Sequence, residues 1–194
     1  MDERVRILET QTLSDDWATL NKVTFALQRR DGTWQTMSRE SYDRGHAAAM
    51  LLLDPATGTV ALTRQFRYPV YASGDPAWLI EVCAGLLDGE QPVEAIMREA
   101  LEETGYRPTA VEHAFDAYMS PGSVTEKLSH FIGHYTSGQR ETTGGGLHDE
   151  GEDIEVLELP LKQALAMIKT GEIVDAKTIA LLYWAALNRP EALK

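Results

Sequence analysis

One cysteine, Cys83, stands among 194 residues, so an internal disulfide framework is excluded and the usage fits a reducing compartment. Its neighbours Ile80-Glu81-Val82 and Ala84 read as strand, which makes it a core residue rather than a nucleophile. Cations are scarce as well. Eighteen Lys and Arg against 30 Asp and Glu give a formal net charge of -12, which argues against nucleic acid or an anionic membrane as the main partner. A small anionic substrate stays open, because a bound metal and a few placed arginines can reverse the sign locally. Long apolar runs are missing too. No window approaches the ~20 residues of a spanning helix, and residues 1–11 have no signal-peptide core. The expectation is a cytoplasmic protein.

What is present suits one good core, or one domain with a small appendage: 43% hydrophobic and 25% charged residues are ordinary for a globular chain. Residues 1–44 carry strand-like segments at 4–8, 18–28 and 33–39, with Asp31-Gly32 as a hairpin signal. Three short strands make little core, so this β unit is expected to lean on the rest of the chain or on a second subunit. From residue 45 onward, strands are expected at 47–53, 59–66, 78–84, 111–119, 128–135 and 154–159. Helices are expected at 92–104, 160–170 and 177–188, and 137–152 is a Gly-rich acidic loop. Many strands with interspersed helices predict an α/β fold, a mixed sheet between helices.

The segment Arg98-Glu99-Ala100-Leu101-Glu102-Glu103-Thr104-Gly105 crowds three carboxylates onto less than two helical turns. Pro92 suits the first helical position, Glu94 the first turn and Gly105 the stop. With Val93 at the origin of the wheel, Met97, Ala100, Leu101 and Thr104 fall within about 80° of it, and Ile96 lies near about 300°. Glu99 and Glu103 fall at about 240° and 280°, at the edge of the apolar stripe and about 6 Å apart along the axis. Glu102, at about 180°, is peripheral. A solvated charged face explains Glu94 and Glu102. It does not explain like charges beside a core, which need a compensating cation. Glu99 and Glu103 are therefore candidate ligands for a hard divalent metal.

The same segment resembles the Nudix box, G-x5-E-x7-R-E-U-x-E-E-x-G-U with U aliphatic. Arg98, Glu99, Ala100, Glu102, Glu103, Gly105 and Tyr106 fill its second half and Glu90 its first Glu. Gly85 to Glu90 encloses four residues where the pattern has five, and Ala100 and Tyr106 are loose fits to U. Residues 40–45 (ESYDRG), 64–67 (RQFR), 79–81 (LIE), 120–122 (SPG) and 152–154 (EDI) are similar to the nucleoside diphosphate sugar branch, which contains ADP-ribose and ADP-sugar pyrophosphatases. Residues 123–126 (SVTE), 144–146 (GGG) and 168–173 (IKTGEI) are most similar to bacterial members that cleave GDP-mannose.

The resemblance implies a Nudix α/β/α sandwich over 45–194 and a homodimer in which the unit 1–44 packs on or exchanges with its partner. It implies hydrolysis of the pyrophosphate bond of a nucleoside diphosphate sugar, here GDP-mannose to GMP and mannose 1-phosphate, with Mg²⁺ (or Mn²⁺ in its place). By position, the Ala84 carbonyl joins Glu99 and Glu103 as metal ligands, Glu102 binds through water, and Arg98 supports the carboxylates. Glu150 fits the general base and Glu152 a further metal ligand, or the two roles exchange. Arg67 and Arg39 are the best cations for phosphate. Glu40 could accept from the base or sugar, and Trp17 could stack on the base. Gly85, Glu126 and Lys177 match substrate-contacting positions. Two rivals stand: an ADP-ribose or ADP-sugar pyrophosphatase, and a Nudix module that binds a nucleotide without cleaving it.

Overall fold

The computed structural model describes residues 2–193, with the side chain of Glu150 outside the described set. In chain order the strands and helices are β1 (Val5–Asp15), β2 (Thr19–Gln28), β3 (Trp34–Asp43), β4 (Ala47–Asp54), β5 (Thr59–Phe66), α1 (Tyr68–Ala72), β6 (Trp78–Glu81) and β7 (Cys83–Leu86). There follow α2 (Pro92–Thr104), β8 (Ala110–Tyr118), β9 (Lys127–His134), β10 (Glu155–Pro160), α3 (Leu161–Thr170) and α4 (Ala176–Asn188). The chain divides into two compact units: residues up to His46 together with Tyr118–Lys127, and Ala47–Ala117 together with the chain from Leu128 onward.

The first unit is built on an antiparallel sheet in the order β1-β2-β3. Asp31 sets the turn between β2 and β3, its carboxylate accepting from the Thr33 amide at 3.0 Å and hydroxyl at 2.6 Å. β1 runs well past the expected 4–8 and is exposed along its whole length. A strand with water on both faces has no period-2 apolar signal, so its second half is invisible to patterning. The segment 118–127 returns to this unit: Tyr42 donates its amide to Ser123 O at 2.8 Å, and Thr125 donates to Tyr42 O at 3.0 Å.

The second unit holds a seven-stranded sheet in the order β10-β5-β4-β9-β8, with β6 paired to β5 and β7 to β4. The β4–β9 pair is parallel and the pairs around β5 are antiparallel, so the sheet is mixed. All eight residues of β4 are buried, as a strand covered on both faces must be. Ala48, Met50 and Leu52 share a cluster with Ile96 and Ala100 of α2. The intervening residues point to the opposite face, where α4 packs on β4 and α3 packs on α4. The layers are α/β/α, as expected.

The expected strand 78–84 is two strands. The chain switches sheet neighbours at Val82, whose amide leaves the ladder for Thr178 Oγ1 at 2.8 Å. A continuous apolar run does not report such a switch. Helix α1 escapes patterning because it buries none of its five residues. Cys83 is 1% exposed and directs its thiol to Met50 O, so it is a core residue. No helix among the described residues is long and apolar enough to cross a membrane.

Candidate metal and diphosphate site

Helix α2 starts with Pro92 at its first position and stops at Gly105, whose φ of 76° only glycine adopts freely. Its buried residues are Ala95, Ile96, Ala100, Glu103 and Thr104, whereas Val93 is 39% exposed. The buried face is therefore turned from the expected Val93 side toward Ile96 and Glu103. Docking of Ile96 and Ala100 against Ala48, Met50 and Cys83 sets the rotation, and Glu103 goes inside with them.

Glu103 is 2% exposed and its Oε2 has no hydrogen-bond partner among the described residues. Burial pushes its pKa well above the carboxylate range, the charges of Glu99 and Glu152 push it further, and Arg67 and the Ala84 amide act the other way. Burial, opposed by Arg98 and reinforced by Glu102, raises Glu99 to about 7. Gly85 makes this arrangement possible. A Cβ there would stand 2.1 Å from Glu99 Oε1, so only glycine lets the carboxylate lie over β7. Arg98 reaches Glu99 at 3.1 Å, Glu102 at 2.9 Å and Glu90 at 3.4 Å, tying three carboxylates to one guanidinium.

No three His, Cys, Asp or Glu side chains among the described residues form a ready-made metal cluster. The fit to a cation rests instead on the orphaned, buried Glu103 oxygen and on Glu99 lodged beside it. Both are carboxyls whose surroundings resist ionisation, the condition a hard divalent ion would relieve.

The loop after β9 is strapped to the end of α2. Gly145 donates to Glu103 O at 2.8 Å, Gly146 to Glu102 O at 3.1 Å, and Glu141 to Gly105 O at 2.8 Å. Glu152 folds back on this loop and accepts the Leu147 amide at 2.9 Å. The Glu150 side chain lies outside the described residues.

A second polar cluster sits on the same unit. Glu81, 1% exposed at the end of β6, accepts from Arg67 Nε and Nη2, both at 2.8 Å, and from Lys177 Nζ at 2.6 Å. Burial favours the neutral carboxyl, but the guanidinium fork and the ammonium outweigh it and hold Glu81 down at about 2. Asp175 caps α4 through Thr178 and takes a second contact from Lys177 at 3.0 Å. The structure thus brings the expected Arg67 and Lys177 together, through a residue the sequence reading gave no role. Its signal was available: a Glu between Ile80 and Val82 in a buried strand demands cationic partners.

Trp17, Arg39, Glu40 and Glu126 all belong to the first unit. Trp17 is 69% exposed at the β1–β2 turn, and Arg39 and Glu40 are exposed on β3, opposite Val23 and Lys22. Glu126 is buried and pairs with Arg44. A cavity of ≈ 580 Å³ on the second unit is lined by Arg64, Trp78, Asp153, Ile154 and Glu155, and by none of the α2 carboxylates.

Comparisons with known proteins agree over nearly the whole chain. A sequence model described as GDP-mannose pyrophosphatase NudK N-terminal domain matches residues 4–42, and one for the NUDIX domain matches residues 43–182. The chain is 50% identical over 189 residues to a GDP-mannose pyrophosphatase of Pectobacterium atrosepticum, covering 97% of each. It is 47% identical to the protein of that name in Escherichia coli O157:H7, over 97% of this chain and 98% of that one. Among solved structures, a crystal structure of an ADP compounds hydrolase is similar in fold, with a TM-score of 0.73 at 19% identity over 95% of this chain and 94% of that one.

Proposed function

The chain belongs to the NUDIX family, and from that premise we propose that it hydrolyses GDP-mannose to GMP and mannose 1-phosphate with Mg²⁺ bound at α2. The carrying observation is one unit that holds both Glu103, whose buried Oε2 is unpartnered among the described residues, with Glu99 one turn away on α2, and two cations gathered on Glu81. The first set suits a divalent metal and the second a diphosphate. The full-length likeness to GDP-mannose pyrophosphatases supports that substrate.

Glu99, Glu103 and the Ala84 carbonyl would hold the ion, with Glu102 assisting through water and Glu152 joining from the loop. When bound, a divalent ion neutralises phosphate charge and lowers the pKa of the attacking water. Arg98 keeps Glu99 and Glu102 oriented. Arg67 and Lys177 hold the diphosphate, with the Gly85 backbone beside it. Water oxygen bonds to one phosphorus, the anhydride P–O bond breaks, and a loop carboxylate, Glu150 or Glu152, takes the proton. By the same resemblance Arg39 would meet phosphate, Trp17 would stack on the base, Glu40 would accept from the base or sugar, and Glu126 would contact sugar or phosphate. The first unit would form a homodimer, since β1 leaves Val5, Ile7, Leu8 and Leu13 exposed. The single buried thiol supports a cytoplasmic setting.

Product analysis with Mg²⁺, GDP-mannose and ADP-ribose side by side, tests this, with Glu103→Gln as the blank. GMP and mannose 1-phosphate are expected from the first. Preferred cleavage of ADP-ribose would overturn the substrate, and tight binding of either without turnover would favour a non-catalytic module.

A further inference from the structure

We propose that Glu81 is a positioning residue for the diphosphate: it clamps Arg67 and Lys177 so that each presents its remaining N–H donors to phosphate oxygens. The inference rests on the phosphate-binding reading of those two cations given above.

Donor counting carries the argument. Arginine has five N–H donors in a fixed fork, and Glu81 takes the edge formed by Nε and Nη2 at 2.8 Å each. Nη1 makes no hydrogen bond within the described residues, and the side chain is 39% exposed. Lysine has three donors; Glu81 takes one at 2.6 Å and Asp175 stands 3.0 Å away as an ion-pair partner, which leaves at least one for phosphate. A buried carboxylate is compensated by one well-placed cation. Here two converge on it from positions 67 and 177, and both keep donors to spare.

The clamp is also anchored to α4 and to β4. Lys177 lies in the first turn of α4, and Thr178, next to it, receives the Val82 amide at 2.8 Å. Glu81, Val82 and Ala84 are thus on one short stretch, fixed to α4 at one end and to β4 at the other. Ala84, whose carbonyl would hold the ion, lies on this stretch and pairs with Ala49 of β4. A diphosphate held by Arg67 and Lys177 would therefore be registered against that carbonyl by the same stretch of chain. Misplacement of a reacting group by ~1 Å is enough to cost about 100-fold in rate, so aim matters as much as charge.

The test uses methylenediphosphonate, a diphosphate mimic whose bridge cannot be hydrolysed, titrated into the full chain at constant Mg²⁺. Glu81→Gln keeps the shape and removes the charge that grips both cations. Its affinity for the mimic is expected to fall at least tenfold with the unfolding temperature still well above the assay temperature. Added to Arg67→Ala, the same change should cost much less than tenfold, because Glu81 acts partly through Arg67. On GDP-mannose, KM should rise more than kcat falls. Arg67→Lys, which keeps the charge but cannot make the two-pronged grip, should weaken the mimic similarly and decides the matter if Glu81→Gln does not fold. Unchanged affinity in either variant, fully multiplicative losses in the double variant, or no binding by the wild type would overturn the proposal. Wild-type binding of the mimic without GMP release from GDP-mannose would overturn only the substrate reading.

Discussion

Glu81 and Glu103 are equally buried, at 1% and 2% exposed, yet their surroundings drive them in opposite directions. Glu81 receives a guanidinium fork and an ammonium and is held as an anion. Glu103 has an orphaned oxygen and other carboxylates for neighbours, so its charge is resisted. Burial resists the charge of both, but at Glu81 two cations overcome it and at Glu103 further carboxylates add to it. The sign of the neighbouring charge thus separates a carboxylate that organises cations from one that a cation from outside would relieve.

The strongest way to break this comparison is Glu103→Gln. Turnover is expected to fall by at least about 1000-fold, equivalent to roughly 4 kcal/mol of transition-state stabilisation. The metal-free protein should unfold at the same or a higher temperature, because a buried carboxyl whose ionisation the fold opposes has been removed. Steady-state rates and a melt in EDTA check both halves. An active variant would sink the metal assignment.

Glu81→Ala should behave in the opposite way. It leaves Arg67 without its carboxylate partner and Lys177 with Asp175 alone, and removing one partner of a buried pair costs about 3–5 kcal/mol. Because the folded pKa of Glu81 is about 2 against an ordinary 4.5, its contribution is present above about pH 4.5 and is lost as pH falls toward 2. That window is worth on the order of 3 kcal/mol. Urea melts from pH 2 to 6 should show a slope in the wild type that is shallower in Glu81→Gln. Equal slopes would remove Glu81 as the source.

How much of this was legible in sequence differs between the two carboxylates. The i, i+4 pair on α2 could be read directly, since helical spacing fixes which residues share a face. Its rotation could not, because docking of Ile96 and Ala100 on the sheet, not the count of apolar residues, set it. The Glu81 cluster was legible only in part. Arg67 and Lys177 could be named, but their meeting depends on how β6 and α4 pack, which local patterns do not encode. The split at Val82 was hidden for the same reason: a run of apolar residues looks alike whether or not it changes partners.

Gly85→Ala sharpens the metal side with a smaller effect. A methyl group 2.1 Å from Glu99 Oε1 must displace that carboxylate while leaving Glu103 in place. The Mg²⁺ concentration for half-maximal activity should rise about 10–100-fold, the range seen when a ligand's orientation is lost. Recovery of full activity at high Mg²⁺ would fit displacement of one ligand, and an unchanged requirement would mean that Glu99 does not bind metal.

The smallest expected effect comes from an arginine–glutamate pair with none of the burial. Arg107 shares its single Nε donor between the two Glu141 carboxylate oxygens, at 3.1 and 3.0 Å, where Arg67 grips Glu81 with two donors. Its two side chains are 52% and 51% exposed, so water and salt screen the attraction. Arg107→Ala should change stability by less than about 1 kcal/mol, and by less still in 1 M salt. The Glu141 amide that ties the loop to Gly105 O does not involve Arg107, so GDP-mannose turnover should hold. Urea melts at low and high salt decide it. A loss comparable with that of Glu81→Ala would mean that the pair itself, rather than the burial of the carboxylate between two cations, sets the energy.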